Sequence, residues 1–324
     1  MFYYFSRFLI RLALPIYLKK LSVSNFNKLP KGAPLMLASN HPDSFFDALI
    51  IGSVMQRPIH TLTRGDVFKK PAVAFWLRLI NLIPVFRGSE GRQYVKNHDV
   101  TAQQSHDALK KGDVVVVFSE GICVNEWRLR PLGKGTARMA YKIWHGDDPL
   151  KSMRVVPTGV NYEHFRGPGK RVSLRFGTEI GPEDIQTSPL EYEKWLREFN
   201  EILDTRMNNE ILTIPEDLPQ TEKKERLNAF LGGVPERSNP VLKTIGSIGR
   251  LIHQPVYSFF VKKAAKLTGR TVFYDSVLFG LLIYLYPVVV ILLAVILGVF
   301  AGWQAGLGLF FALPLLAWVG AQYR

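Results

Sequence analysis

The sequence predicts an α/β fold: a mixed, mostly parallel sheet flanked by helices, with an N-terminal interfacial helix and a C-terminal transmembrane helical hairpin. Three observations predict it. Between residues 34 and 207, short β-branched or apolar runs alternate with longer helical ones, the pattern of strands and crossovers in a sheet covered on both faces. Residues 276–323 contain no Asp, Glu, Lys or Arg, and such length without charge is rare in a soluble core. The first 20 residues are aromatic and aliphatic, yet Arg7, Arg11, Lys19 and Lys20 interrupt them and Pro15 breaks them. That composition suits a helix lying in the headgroup region rather than one that crosses it. It also lacks the uninterrupted apolar core of a signal peptide.

Taken in order, residues 1–22 read as the membrane-proximal helix, and about 25–205 as one α/β domain, large enough for a full core. Its strands are expected at Leu35–Ala38, His60–Arg64, Ile83–Phe86, Val114–Phe118, Arg154–Val160 and Val172–Phe176. Its helices are expected at Phe45–Met55, Pro71–Ile80, Gly91–Lys111, Lys134–His145 and Leu190–Met207. Residues 206–240 are rich in Pro, Glu, Lys and Asn and read as a polar linker or cover. Residues 241–275 are basic with apolar positions between and contain Pro255, and are expected along a membrane surface.

Residues 276–324 close the chain. Val277–Phe300 is long enough to cross a hydrocarbon core of ~30 Å at ~1.5 Å per residue. Trp303–Gly320 reaches about the minimum span, and Ala301-Gly302 turns the chain between them. Lys262, Lys263, Lys266 and Arg270 precede the first span and Arg324 follows the second. The positive-inside tendency then puts both ends of the hairpin, and the α/β domain, on the cytoplasmic side of a membrane, read as a bacterial inner membrane.

The formal charge is +14 and the pI about 9.8, which raises nucleic acid as a partner. No zinc-finger spacing, RNA-binding aromatic signature or dense basic run accompanies the charge. A bilayer with anionic headgroups explains it more economically, and a positive surface also attracts acidic substrates. The one cysteine, Cys123, excludes an internal disulfide. The seven histidines show no H-E-x-x-H, and no metal is expected. Walker, dinucleotide-fingerprint and G-x-S-x-G patterns are all missing.

The chemistry sits in four short blocks. Ser39-Asn40-His41-Pro42-Asp43-Ser44-Phe45-Phe46-Asp47 follows an apolar run, so His41 falls where a strand ends and a helix begins, with Asp43 or Ser44 as N-cap. An imidazole there, with a carboxylate one turn away, suits a general base held in one tautomer. Ile83-Pro84-Val85-Phe86-Arg87-Gly88 is a strand ending in one arginine. Val114 to Gly121 delivers Glu120 and a flexible glycine to the sheet edge. Val155-Val156-Pro157-Thr158-Gly159 is a strand interrupted by proline and glycine. Taken singly, each has a plain structural reading: a capped turn, a surface arginine, a tight turn, a strand end.

In this order the blocks N-H-P-x-S-x-x-D, I-P-V-F-R, F-x-E-G and V-P-x-G resemble those of the glycerolipid acyltransferases. Two departures stand out. The commonest form of the family's first block has its aspartate where this chain has Phe46. Asp47, one later, matches a longer-spaced subset and takes the orienting role, with Asp43 as rival. The third block usually continues E-G-T-R, whereas Ile122-Cys123-Val124-Asn125 follows here. Arg128, Arg130 and Lys134 are the candidates to replace that arginine.

The resemblance implies transfer of a fatty acyl group from a thioester to a hydroxyl of glycerol 3-phosphate or a lysophospholipid such as lysophosphatidate. His41 would be the general base and Asp47 its orienting partner, with no covalent acyl-enzyme. Arg87, Glu120 and Gly121 would lie at the acceptor site, Arg87 matching phosphate bidentately. Backbone around Gly121, or a block-four loop at Pro157, would supply oxyanion donors. The donor is acyl-CoA or acyl carrier protein, with no bound cofactor. Two other readings remain: a hydrolase or transacylase using the same site, and a catalytically silent lipid-binding relative. Cys123 lies near the third block, but nothing pairs it with an activating base, and it reads as a packing residue.

Overall fold

The computed structural model describes residues 1–85, 97–233, 239–269 and 271–323. In chain order the elements are α1 (Phe2–Tyr17), β1 (Leu18–Ser24), β2 (Leu35–Ser39), α2 (Phe45–Val54), β3 (Ile59–Arg64), α3 (Pro71–Leu79), β4 (Leu82–Val85) and α4 (Asn97–Lys110). There follow β5 (Val114–Phe118), α5 (Gly135–His145), β6 (Arg154–Tyr162), β7 (Lys170–Phe176) and α6 (Tyr192–Asn208). The C-terminal part is helical: α7 (Gln220–Leu231), α8 (Pro240–Thr268), α9 (Tyr274–Ala301) and α10 (Trp303–Gln322).

Seven strands form one sheet in the order β1-β7-β6-β2-β5-β3-β4. All neighbours run parallel except β6 and β7. The sheet is therefore mixed and mostly parallel. Strand β2 is central, paired with β5 through Leu35–Val114 to Ser39–Phe118 and with β6 through Leu35–Arg154 to Ser39–Thr158. Every residue of Leu35–Ser39 is buried, as a central parallel strand requires.

Successive strand residues point to opposite faces, and two cores result. On one face Leu35, Leu37, Val114, Val116, Val156 and Leu174 pack with α1, α2 and the root of α9. On the other, Met36, Ala38, Val115, Val117 and Val155 pack with Leu109, Trp144, Trp195, Phe199 and Leu203 of α4, α5 and α6.

Four segments differ from the sequence reading. Helix α1 ends at Tyr17, and Leu18–Ser24 joins the sheet edge beside β7. The arginines of α1 face the protein: Arg11 donates to the Ser53 and Met55 carbonyls at 2.8 and 3.0 Å, and Arg7 to the Gln56 carbonyl at 3.1 Å. They satisfy carbonyls left open at the end of α2, while Tyr4, Phe5, Phe8 and Leu12 are exposed on the outer side. The stretch 206–240, expected as a polar linker or cover, contains α7. Helix α8 continues through Pro255 and packs along α10, close enough that a Cβ at Gly249 would meet the Leu316 carbonyl at 2.5 Å.

The root of α9 belongs to the first core. Leu278, Phe279 and Ile283 are buried there, with the Phe279 ring 5.3 Å from that of Phe46 and 5.1 Å from that of Tyr17. Beyond Ile283 the helix is largely exposed, up to Val299 at 76% and Phe300 at 86%.

Candidate active site

Strands β2 and β5 lie side by side and parallel, so His41 and Glu120, each two residues past its strand's end, meet at the carboxyl edge of the sheet. Such an edge is where open α/β sheets leave room for chemistry. The end of β2 is pinned by Asn40, whose side-chain amide donates to the Val160 carbonyl at 3.0 Å and whose oxygen accepts the Val160 N–H at 2.8 Å. That exchange continues the ladder one residue past the strand and fixes where His41 begins.

His41 Nδ1 lies 2.9 Å from Asp47 Oδ2. The imidazole stacks on Phe118 with centroids 3.8 Å apart and planes 15° from parallel. Its side chain is 19% exposed, whereas that of Asp47 is fully buried. An ionised carboxylate can only accept, so Nδ1 carries the proton and Nε2 presents its lone pair. Asp47 is also held from behind: the Tyr162 hydroxyl donates to Oδ1 at 2.7 Å, and the Asp43 N–H to both oxygens at 3.2 and 3.0 Å. Burial and the nearby carboxylates push the Tyr162 hydroxyl well above its ordinary range, so it stays a donor.

Asp43 points away from His41. Its carboxylate lies 2.8 Å from the Lys170 ammonium. Burial raises it well above the usual carboxylate range, against the pull of Lys170. Ser44 is the N-cap position of α2 but makes no side-chain cap bond, and its φ of 54° is unusual for a residue with a Cβ. The cap is built from elsewhere: the Phe46 N–H donates to Ser276 Oγ at 3.0 Å, and the Ser44 N–H to Cys123 Sγ at 3.0 Å. Burial pushes the Cys123 thiol up, which makes a thiolate nucleophile unfavourable.

Glu120 is a brace. Its Oε2 accepts the His41 N–H at 2.9 Å and its Oε1 the Arg130 N–H at 3.0 Å. Burial raises its pKa against these two donors. Asn125 completes the brace, donating to the Pro42 carbonyl at 2.6 Å. Gly121 has φ +70°, a backbone that only glycine adopts freely, and its N–H is spent on the Phe118 carbonyl at 3.1 Å.

Several expected positions fall differently. Pro157 is not in a loop but buried inside β6, opposite Ala38. It stands between the isolated Val155–Ile180 bridge and the β6–β7 ladder that begins at Thr158, so its missing N–H costs no rung. Neither it nor Gly121 offers a free N–H to an oxyanion. Of the three basic candidates, Arg128 pairs with Glu126 at 2.5 Å, Arg130 also pairs with Glu126, and Lys134 pairs with Glu193 at 2.7 Å. Arg87 lies outside the described residues, as do Arg270 and Arg324; β4, two residues before Arg87, runs parallel to β3.

Tyr162, Phe118, Lys170 and Asp275 were missed by the sequence reading. Tyr162 had a signal, since it lies on the strand of the fourth block at an even spacing from Val156, Thr158 and Val160. Phe118 is the aromatic that opens the third block, F-x-E-G, but nothing local shows that it stacks on His41, and Lys170 and Asp275 had no local signal.

The model of the family described as Acyltransferase matches residues 20–161. No curated protein matches the chain. Among solved structures the chain is similar to the 1-acyl-sn-glycerophosphate (LPA) acyltransferase PlsC from Thermotoga maritima, at 18% identity over 59% of this chain and 72% of that one. The TM-score of that match is 0.39, too low to carry an argument. All four blocks fall inside this match, so residues 20–161 carry an acyltransferase domain by their similarity to that family.

Proposed function

We propose that this chain is a membrane-bound O-acyltransferase of phospholipid synthesis. It moves a fatty acyl group from acyl-CoA or acyl carrier protein to a hydroxyl of glycerol 3-phosphate or a lysophospholipid such as lysophosphatidate. The observation that carries the reading is the His41–Asp47 pair, 2.9 Å apart, with the imidazole partly open at the carboxyl edge of β2. His41 Nε2 takes the proton of the acceptor hydroxyl as its oxygen attacks the thioester carbonyl. The tetrahedral intermediate then expels the thiolate, which recovers the proton from the imidazolium. Ester and thiol are the products, and no side chain of the enzyme is acylated. A base so placed contributes on the order of 10²–10⁴-fold. Asp47, kept buried by Tyr162, holds the tautomer and stabilises the imidazolium.

Arg87 is the proposed phosphate cation. Glu120 and Gly121 shape the acceptor side by bracing the His41 turn, and Arg128, Arg130 and Lys134 are cations an acidic acceptor or donor can draw from Glu126 and Glu193.

The membrane assignment rests on α9 and α10. They expose Leu292, Val299, Phe300, Trp303 and Phe311, each between 57% and 86%. A soluble core helix would bury such residues. The bilayer, with anionic headgroups facing the cationic chain, is the proposed partner. The proposed location of the α/β domain is the cytoplasmic side of a bacterial inner membrane, and the basic residues flanking the hairpin support that side.

The test incubates the membrane-embedded protein and a His41→Ala variant with labelled acyl-CoA or acyl carrier protein, offering glycerol 3-phosphate and lysophosphatidate separately. Product that depends on both acceptor and His41 is expected. Release of free fatty acid without acceptor would replace the reading with a hydrolase. Transfer that survives His41→Ala would remove the histidine from the chemistry.

A further inference from the structure

A cluster of buried charge next to the site joins three distant parts of the chain. Lys170 in β7 has no exposed surface. Its ammonium lies 2.8 Å from Asp43 Oδ2 and 3.2 Å from the Phe165 carbonyl, and it pairs directly with Asp275. It also lies over the Phe46 and Tyr162 rings, 4.9 and 4.6 Å from their centroids. Asp275, in the first turn of α9, accepts the Gly167 N–H at 2.7 Å through its other oxygen. The next residue, Ser276, accepts the Phe46 N–H. The root of α9 therefore grips the first turn of α2 twice, through Lys170 to Asp43 and through Ser276 to Phe46. These two contacts flank Asp47, and the Asp43 N–H itself bonds the carboxylate that holds His41.

A buried ion pair is weak evidence for stability, because desolvation offsets most of its attraction. What this one can supply is position. The turn it clamps contains Ser44 at φ 54°, a conformation worth about 1–3 kcal/mol of strain that persists only where its surroundings impose it.

We propose that Lys170 and Asp275 are positioning residues for the His41–Asp47 pair, so that acyl transfer requires the root of the C-terminal hairpin docked on the α/β domain. The inference rests on the acyltransferase reading. It makes the hairpin part of the catalytic apparatus as well as an anchor, although neither residue touches substrate.

Cys123, the one cysteine, gives a readout independent of activity, because its sulfur accepts the Ser44 N–H and reports whether the turn is closed. The experiment compares full-length wild type with Asp275→Asn, Lys170→Met and Ser276→Ala in mixed micelles. It measures kcat, acceptor KM and the rate of Cys123 alkylation by N-ethylmaleimide. Leu203→Ala, in the opposite core, controls for general loss of stability. Asp275→Asn and Lys170→Met should lower kcat by about tenfold or more, or ~1.4 kcal/mol of transition-state stabilisation. Acceptor KM should stay within about twofold, because the pair acts only on the transition state. Alkylation should speed up in the same variants, and Leu203→Ala should change neither kinetics nor labelling at equal thermal destabilisation. If Lys170→Met does not fold, Ser276→Ala, which removes only a hydroxyl, carries the comparison. Unchanged kcat and labelling in the folded variants would overturn the proposal, as would losses no larger than those of Leu203→Ala. Faster labelling in variants of a wild type that transfers no acyl group would retire the acyltransferase reading while keeping the clamp.

Discussion

Around His41 almost every polar group has a defined partner, so single substitutions separate roles that the sequence lumps together. Replacing Asp47 with Asn puts an amide where the structure has a carboxylate accepting from Tyr162, the Asp43 N–H and Nδ1. The expected loss in kcat is on the order of 10³-fold or more, since an amide no longer fixes the tautomer or stabilises the imidazolium. Asp43→Asn should cost less, because it leaves the Asp47–His41 bond in place; a larger loss than for Asp47→Asn would reassign the orienting carboxylate. Cys123→Ser should keep kcat within about threefold, because the buried thiol is pushed up and a hydroxyl can still accept from Ser44. Steady-state kinetics on the three variants checks all of this. The sequence could name His41 and Asp47 because the five-residue turn from Asn40 to Ser44 places them at one strand–helix junction. It could not tell that Asp43 faces Lys170, since the partner lies 127 residues away. Nor could it show that Glu120 spends both oxygens on backbone N–H groups of two separate loops.

Among the elements, the strands and helices of the α/β domain were legible because their buried faces impose a period: Leu35–Ser39 and Val114–Phe118 are apolar throughout, as central parallel strands must be. Strand β1 was not. Lys19, Lys20 and two serines give Leu18–Ser24 the look of a polar tail, and that is how an edge strand avoids pairing with other chains. Its partner β7 also lies about 150 residues away, so no local turn announces it. Strand β7 offers a pH-dependent test of its own. Glu163 accepts the Arg171 N–H at 3.0 Å and the Arg171 guanidinium at 2.8 Å, and this pairing holds its carboxyl below the ordinary value despite partial burial. A carboxylate depressed in the fold adds stability above its unfolded pKa, roughly 4.3. That stability disappears as pH falls through the lower folded value. Glu163→Gln should therefore destabilise the protein by about 1 kcal/mol at pH 7, the low end for a charged hydrogen bond because the pair is partly exposed. Thermal melts at several pH values should show the gap to wild type closing below about pH 4. A gap that persists at acid pH would mean that packing of the Glu163 side chain, not its charge, stabilises the β6–β7 hairpin.

At the scale of the whole molecule, the hairpin and the domain share one helix. Helix α9 has 28 residues, about 42 Å of helix at ~1.5 Å per residue. Its first ten residues, Tyr274–Ile283, lie in or against the domain core, with Asp275 paired to Lys170. The remainder, from Tyr284 to Ala301, is roughly 27 Å long, close to the ~30 Å of a hydrocarbon core. Helix α10 returns to the domain and ends there, Gln322 donating to the Pro15 and Leu18 carbonyls at 2.6 and 3.2 Å. If the exposed part spans a bilayer, Leu292 is near the midplane; it is 57% exposed and bears no packing duty. Water and lipid then give opposite outcomes for Leu292→Lys. On a water-facing helix the change costs about 0.5 kcal/mol or less. At a bilayer midplane it costs roughly 2.5–3.5 kcal/mol per residue. The expected result is less protein in the membrane fraction and a lower yield. A Leu292→Lys protein that is released in soluble, monodisperse form with its acyl transfer intact would instead assign the exposed apolar face of α9 to contact with protein, and the domain would have to be held at its lipid substrates by α1 alone.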